Sequence, residues 1–377
     1  MKIGVISRSN LDDRLYWSGA INSVYTHLKK NKKIKIIKID KLNNTIRKIA
    51  ALKRDFIKYV SNIKYDESYD NLVSRNFGYQ IEKKLINKKF DFLLAFDSSL
   101  IANLSTRIPI ILWTDLLYSD YYDHYFNKEK ISKKTKKSIK NIEKLALIKS
   151  NKVFLSSKWA LNKAKKKYPN ISQKFKLLEF GPSLISNYNR KFIKKKIKER
   201  SNSRLNLITL SVNWKRKGID RILSINNIIN KKGIKTKLTI LGLKEKKIKN
   251  KNIRIINFIN KNNKNGEKKI SNYLLKNHFH LLFSNAEAYG ISLIEANSRG
   301  VPNIALKVGG MNQIIKNNVN GKLFHHNSDL NKISDYIIET FLDKKKYKNF
   351  SLSSYDEYNK NFSYKKIILK FIKLINN

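Results

Sequence analysis

The sequence predicts an α/β fold with two parallel sheets, and three observations support this expectation. Short apolar strands alternate with helical segments through both halves of the 377-residue chain, a pattern typical of parallel sheets with helices on both faces. A polar, charged stretch between Gly181 and Arg204 interrupts the alternation. Hydrophobic residues make up 41% of the chain, which is enough for two cores. The length suits two or three domains of ordinary size.

The predicted strands come in two series. The first comprises residues 2–6, 34–39, 90–96, 108–113, 153–156 and 175–180, and the second comprises 205–212, 237–241, 253–258, 278–283 and 303–307. A last helical segment lies near 364–375. We assign the domains as 1–181, a linker at 182–203, a second domain at 204–350, and a C-terminal helical segment at 351–377. Ligands of open α/β sheets bind at the carboxyl ends of the strands, so we expect a site in a cleft between the two domains.

Composition excludes several classes of site. The chain has no cysteine, so disulfides, zinc–thiolate sites and a cysteine nucleophile are ruled out. The six histidines are scattered or adjacent and Asp12-Asp13 is not flanked like a metal-binding motif, so we expect no cofactor and no essential metal. No apolar run approaches the ~18 residues that cross a bilayer, and the N-terminus lacks the features of a signal peptide. We therefore expect a cytoplasmic protein.

The chain is strongly basic, with 80 Lys and Arg against 28 Asp and Glu and a formal charge of +52. One explanation is compositional drift towards Lys, Asn and Ile. The other explanation is an anionic partner, which would be either the inner surface of the cell membrane or a nucleic acid. Because no nucleic-acid-binding module is recognisable, a nucleic-acid partner is not expected. A basic amphipathic helix predicted at 128–148 is a candidate for the membrane contact, with an ordinary surface helix as its alternative.

Two carboxylates lie where a predicted strand turns into a helix. Glu287 follows the strand 278–283, and Glu295 lies about one and a half turns into the helix that begins after Gly290. Unpaired backbone N–H groups at such a turn favour phosphate, and carboxylates accept hydrogen bonds from sugar hydroxyls. This combination suits a nucleotide-sugar.

A cationic turn follows the first strand of the second half. Lys215, Arg216 and Lys217 precede Gly218, where a helix begins. Cations at a strand end and helix start form an anion site. The alternative is a solvated basic turn, but the strand–loop–helix context favours phosphate binding.

Three further segments are candidates for the same site. Ser18 and Gly19 precede an apolar helix in the first half, and Gly309-Gly310 follows a predicted strand in the second. Glycine permits close approach of a ligand to the backbone. Asp115 follows the strand 108–113 and opens an aromatic loop that either stacks on a sugar or packs the domain edge.

These motifs together resemble glycosyltransferase family 4, the group 1 glycosyltransferases. The resemblance rests on Glu287 to Glu295, the Lys217-Gly218 step, Gly309-Gly310 and Pro302. It implies the GT-B fold, in which two Rossmann-like domains face each other across a cleft and a C-terminal helix crosses back to the first domain. It also implies sugar transfer with retention of anomeric configuration and without metal.

The resemblance also implies roles. Glu287 would contact the donor sugar, and Glu295 would hold the ribose hydroxyls. Lys217, aided by Arg216, would neutralise the leaving diphosphate, and Gly19 would face the phosphates from the other domain. We therefore assign catalysis to Glu287, Lys217, Arg216 and Asp115, and donor binding to Ser18, Gly19, Asn213, Tyr289, Gly290, Ile291, Glu295, Gly309 and Gly310.

Three positions depart from the family pattern. The Arg of the usual Gly-Arg pair is missing at Val212-Asn213, with Arg216 as its substitute, an acidic residue is replaced near Gln313, and Asp115 stands where a His is common. We expect a retaining glycosyltransferase that uses a nucleotide-sugar and a glycan or lipid-linked acceptor in surface polysaccharide or glycolipid synthesis. The alternative is a catalytically silent nucleotide-sugar or polyanion binder on the same scaffold.

Overall fold

In a computed structural model the chain divides into two compact units. Unit 1 comprises Met1–Phe180 with Ile368–Asn377, and unit 2 comprises Gly181–Ile367. The structure describes residues 1–126, 131–184, 188–243, 248 and 250–376. The first residues of the helix predicted at 128–148 and part of the predicted linker therefore lie outside the described residues.

Unit 1 is built on a six-stranded parallel sheet of order β2-β1-β3-β4-β5-β6. Its strands are β1 (Lys2–Ile6), β2 (Lys35–Ile39), β3 (Phe92–Ala95), β4 (Ile110–Thr114), β5 (Ser150–Leu155) and β6 (Phe175–Leu177). Its helices are α1 (Ala20–Lys29), α2 (Thr45–Ser61), α3 (Asn71–Leu85), α4 (Tyr118–Phe126), α5 (Lys133–Lys149) and α6 (Lys158–Lys167). The strand order reverses between β1 and β3, and that reversal defines the switch point of this sheet.

Unit 2 is built on a second six-stranded parallel sheet, of order β12-β11-β10-β7-β8-β9. Its strands are β7 (Leu205–Leu210), β8 (Thr236–Leu241), β9 (Ile253–Ile256), β10 (Phe279–Leu282), β11 (Asn303–Leu306) and β12 (Gly321–Phe324). Its helices are α7 (Arg190–Lys198), α8 (Ile219–Lys231), α9 (Gly266–Leu275), α10 (Ile291–Asn297), α11 (Leu330–Leu342) and α12 (Lys344–Glu357), and the chain ends in α13 (Tyr364–Asn376). The order is that of a doubly wound nucleotide-binding sheet, with its switch point between β7 and β10.

The C-terminal helix returns to unit 1, as the sequence predicts. Phe371 of α13 stacks on the Trp113 ring with centroids 5.7 Å apart, and Phe180 stacks on that ring at 5.0 Å. All three side chains are buried. Lys152 Nζ donates to the Leu374 carbonyl oxygen at 2.7 Å near the end of the helix. The last helix of the chain therefore contributes Phe371 to the core of unit 1.

The stretch predicted as a linker at 182–203 is instead part of unit 2. It contains α7, whose Ile193 and Ile197 are buried. The many lysines around these two residues conceal their four-residue spacing, which is the signal of a helix with one buried face. Arg200 follows the helix and is buried as well. The linker assignment is therefore wrong. The charged residues of this stretch lie on the outer face of a packed helix.

The structure describes most of the basic helix predicted at 128–148. The described helix, α5, begins after Ser132, whose hydroxyl accepts a hydrogen bond from the Thr135 N–H at 3.0 Å. Its apolar residues Ile139 and Ile142 are buried in unit 1. Burial of these two residues agrees with the alternative of an ordinary surface helix, while Leu145 and Ile148 of α5 stay exposed.

Two histidines of unit 2 are buried in neutral form. His278 Nε2 donates to the Ser201 carbonyl oxygen at 2.9 Å, while its Nδ1 accepts from the Asn206 N–H at 2.9 Å. His280 Nδ1 donates to Asn303 Oδ1 at 2.8 Å. Burial lowers the pKa of His278 to about 3 and the pKa of His280 to about 4.

We expect unit 2 to lose stability as the pH falls below 6.5. The unfolded chain binds a proton at each histidine near pH 6.5, whereas the folded protein does so only near pH 3–4. Stability is therefore complete above pH 6.5 and declines below it, by about 2–5 kcal/mol at pH 4.5. Urea unfolding as a function of pH measures this slope. It should be shallower in His280→Gln and unchanged in His325→Gln, which alters an exposed histidine. Equal slopes in His280→Gln and wild type would contradict the assignment.

Candidate functional site

Two loops meet at the switch point of unit 2, one after β7 and one after β10. The Asn285 N–H donates to the Arg216 carbonyl oxygen at 2.8 Å, and Asn285 Nδ2 donates to the Lys215 carbonyl oxygen at 2.9 Å. Gly218 closes the first loop with φ +65°, and a Cβ there would lie 2.1 Å from the Phe283 carbonyl oxygen. Only glycine allows this approach, which brings the predicted cationic turn beside the predicted carboxylate.

Glu287 and Lys217 form a buried ion pair. Lys217 Nζ lies 2.5 Å from Glu287 Oε2, and Arg216 Nη1 lies 3.4 Å from the same oxygen. Ser284 Oγ also donates to Oε2, at 3.4 Å. Lys217 and Glu287 are both buried. The site thus combines two cations with one carboxylate and has a net positive charge.

The ionisation of the pair follows from its surroundings. Burial alone would raise the pKa of the Glu287 carboxyl, but Lys217 and Arg216 outweigh burial and hold that pKa below its usual value. Burial lowers the pKa of the Lys217 ammonium, and Arg216 adds to that effect, while Glu287 opposes it. Glu287 is therefore a carboxylate at neutral pH. This state suits it to accept hydrogen bonds and not to act as a general acid.

Glu295 lies on α10 and contacts a different pair of residues from those that contact Glu287. Ser183 Oγ donates to Glu295 Oε1, and Lys261 Nζ lies 3.8 Å from the same oxygen and 2.6 Å from Ser183 Oγ. Glu295 is buried. Ser183 and Lys261 are site residues that the sequence analysis missed, because their spacing along the chain gives no sign of this contact.

The glycine pair predicted to approach the donor is attached to the Glu287 loop. The Gly310 N–H donates to the Ala288 carbonyl oxygen at 3.0 Å, and Gly309–Gln313 forms a short 3-10 helix. Tyr289 is buried, and Gly290 has φ +95° just before Ile291 begins α10. The structure thus brings Tyr289, Gly290, Ile291, Gly309 and Gly310 together with Glu287.

Asn213 shapes the cationic turn. Its Oδ1 accepts from the Arg216 N–H at 2.9 Å, and its carbonyl oxygen accepts from the Lys217 N–H at 3.1 Å. The side chain predicted to bind the donor therefore already stabilises the turn that presents Lys217.

The remaining predicted residues belong to unit 1. Trp17, Ser18 and Gly19 follow one another in the left-handed region, with φ of 50°, 55° and 87°, directly before α1. Asp115 follows β4, and its carbonyl oxygen accepts from Ser156 Oγ at 3.1 Å. The parts of Ser18 and Gly19 in donor binding, and of Asp115 in catalysis, stay predictions.

Unit 1 also carries a polar cluster at its own switch point that the sequence analysis did not single out. Arg8 follows β1 and donates from Nη1 to Ser68 Oγ at 3.0 Å. Asp66 accepts a hydrogen bond from the Tyr118 hydroxyl, and burial raises the pKa of the Asp66 carboxyl. Tyr69 stacks on Tyr118 with centroids 3.7 Å apart. The position of Arg8 just after a predicted strand was a usable signal.

Comparison with known proteins identifies the second unit. Residues 189–356 match the family described as glycosyl transferases group 1. The matched segment lies within unit 2. No curated protein matches the chain by sequence.

Solved structures show that the chain has the GT-B fold. TarM superimposes with a TM-score of 0.57 at 17% identity, covering 80% of this chain, which spans only 58% of TarM. WaaG, a glycosyltransferase involved in lipopolysaccharide biosynthesis, gives 0.60 at 12% identity over 95% of both chains. Anabaena HepE, solved with UDP and glucose, gives 0.62 at 12% identity over 100% of both chains. At these identities the likeness concerns the fold.

Within residues 1–126, 131–184, 188–243, 248 and 250–376, no helix is long and apolar enough to cross a membrane. The same part of the chain holds no group of three or more His, Cys, Asp or Glu arranged to bind a metal ion. That the reaction needs no metal stays a prediction.

Proposed function

We propose that the protein transfers a sugar from a nucleotide-sugar to a glycan or lipid-linked acceptor, with retention of anomeric configuration. The observation that carries this proposal is the buried group of Lys217, Arg216 and Glu287 at the switch point of unit 2. Doubly wound sheets bind nucleotides at this point, and a net positive, partly dehydrated site there favours a diphosphate.

The two cations and the carboxylate have separate roles in the proposed reaction. Negative charge develops on the diphosphate as its bond to the sugar breaks, and Lys217 and Arg216 stabilise that charge. The Glu287 carboxylate accepts hydrogen bonds from the hydroxyls of the donor sugar. The acceptor hydroxyl attacks the anomeric carbon from the face that the diphosphate leaves. Its proton passes to the departing phosphate oxygen, so that charge and atoms balance.

The comparisons support the choice of substrate class. HepE was solved with UDP and with UDP-glucose, and WaaG takes part in lipopolysaccharide biosynthesis. We therefore propose a nucleotide-sugar donor for this chain, with UDP-sugars to be tested first. For the acceptor we propose a surface polysaccharide or glycolipid intermediate.

A thermal-shift screen over UDP-, GDP- and ADP-sugars tests the proposal. A ligand that binds only the folded state raises the melting temperature, by an amount that grows with concentration. We expect one nucleotide series to stabilise the protein and to be turned over with an acceptor or with water. Stabilisation without any turnover would support the silent binder instead, and no stabilisation by any of the three series would contradict the proposed function.

We expect Glu295→Gln to weaken donor binding with little effect on kcat. The substitution removes the charge that Ser183 and Lys261 hold in place and that is proposed to accept from the ribose hydroxyls. Losing charge-assisted hydrogen bonds should raise KM for the nucleotide-sugar by about 10-fold or more. Glu339→Gln changes an exposed residue of α11 and should leave KM unchanged. A fall in kcat at constant KM would contradict the ribose role.

A further inference from the structure

Helix α2 of unit 1 exposes its apolar face and turns its arginines inward. Leu52, Phe56 and Tyr59 are 71%, 67% and 90% exposed, and Ile49 and Val60 are exposed as well. No residue of the helix is buried. A surface helix of a globular protein normally has the opposite arrangement, with its apolar stripe towards the core. We call Ile49, Leu52, Phe56, Tyr59 and Val60 the α2 apolar face.

Ion pairs on the inner side fix this orientation. Arg47 Nη1 and Arg54 Nη1 each lie 3.0 Å from Glu67 Oε1. Arg47 and Arg54 are two helical turns apart and so share one side of α2. Glu67 is buried and adjoins Asp66 in the polar cluster of unit 1. The helix is therefore held with its apolar face outward by charged contacts to the body of the unit.

The spacing makes the α2 apolar face continuous. Ile49, Leu52, Phe56 and Val60 are three or four residues apart, which places them in one stripe along the helix. At 3.6 residues per turn, Lys53 borders the stripe on one side and Lys48 on the other, and both lysines are exposed. Contiguous exposed apolar surface of this kind marks an interaction site.

We propose that the α2 apolar face docks the protein on the surface of an anionic lipid bilayer. An apolar stripe with aromatic residues and flanking lysines is the pattern of a helix that lies in the membrane interface. The net charge of +52 adds long-range attraction to such a surface. The same charge opposes pairing with a second copy of the chain, which would bring two strongly positive molecules together.

Vesicle sedimentation of the full chain tests this proposal. We expect binding to vesicles of mixed phosphatidylglycerol and phosphatidylcholine, weaker binding at higher salt, and little binding to phosphatidylcholine alone. The triple variant Leu52→Ser, Phe56→Ser, Val60→Ser keeps every charge but should lower the partition coefficient by about 100-fold. Because these side chains are exposed, its melting temperature should match that of wild type.

The control variant has the same number of changes at scattered exposed positions, Phe258→Ser, Leu342→Ser and Leu369→Ser. We expect it to bind anionic vesicles as wild type does. The proposal fails if the α2 triple variant binds as tightly as the control, or if wild type binds neutral and anionic vesicles equally. It also fails if wild type ignores vesicles and forms a dimer that the triple variant dissociates, because the face would then be a self-association surface.

Discussion

Lys217→Met is expected to lower kcat/KM for the nucleotide-sugar by about 10²–10³-fold, the cost of losing one preorganised charge-stabilising group in an active site. Lys217 Nζ lies 2.5 Å from Glu287 Oε2 and is proposed to face the leaving diphosphate. Methionine fills the volume of the lysine stem, and Arg216 stays within 3.4 Å of Glu287 as a counter-charge. The loss should therefore appear mainly in transition-state stabilisation.

The matched control for this variant is Lys215→Met. Lys215 lies in the same turn, but its side chain is exposed, and the contact with Asn285 uses its backbone carbonyl. We expect near wild-type kcat/KM, with both variants folded by thermal unfolding. If Lys215→Met is as damaging as Lys217→Met, the effect belongs to general positive charge and not to the buried pair.

Arg200→Met is expected to lower the free energy of unfolding of unit 2 by about 3–5 kcal/mol, a typical cost of breaking a buried charged network. The guanidinium donates to five acceptors, each of which loses this donor in the methionine variant: the carbonyl oxygens of Leu275 at 3.1 Å, Arg299 at 3.0 Å and Gly300 at 2.9 Å, Tyr347 Oη at 2.6 Å and Ser351 Oγ at 3.0 Å. Urea unfolding measures the loss.

Arg204→Met is the control for this second variant. Arg204 is exposed and donates only weakly, at 3.3 Å, to Asn206 Oδ1. Its replacement should change the free energy of unfolding by less than about 0.5 kcal/mol. Equal losses in the two variants would mean that the Arg200 contacts do not hold α7 and α12 together as the structure indicates.

The strands of both sheets could be predicted because central parallel strands are buried on both faces and form continuous apolar runs. The strand β12 at the sheet edge was missed, because the pattern of Gly321-Lys322 indicates only the end of a turn. The predicted linker failed for a related reason. Its charges dominate the composition, whereas the two buried isoleucines and Arg200 that fix it to unit 2 are few.

Amphipathic patterns proved to be ambiguous in direction. The helices α2 and α5 both alternate lysines with apolar residues, yet α5 buries its stripe and α2 exposes it. The periodicity of the sequence shows that a helix has an apolar stripe, but it does not show whether that stripe packs in the core or faces solvent. That information lies in contacts remote in sequence, such as those of Arg47 and Arg54 with Glu67.

The candidate site of unit 2 could be predicted only in part. Glu287, Lys217 and Gly218 stand at strand ends, and the topology of a doubly wound sheet brings neighbouring strand ends together. Sequence could not show that Ser183 and Lys261 hold Glu295, because those residues come from loops without a recognisable motif.

The buried Lys217–Glu287 group is proposed to bind the diphosphate of a nucleotide. Calorimetric titration with a nucleoside diphosphate and the matching monophosphate, using the base chosen by the thermal-shift screen, tests this role. Wild type should bind the diphosphate at least about 10-fold more tightly than the monophosphate, and Lys217→Met should abolish most of that difference while leaving monophosphate affinity nearly unchanged. An undiminished preference for the diphosphate in Lys217→Met would contradict the claim.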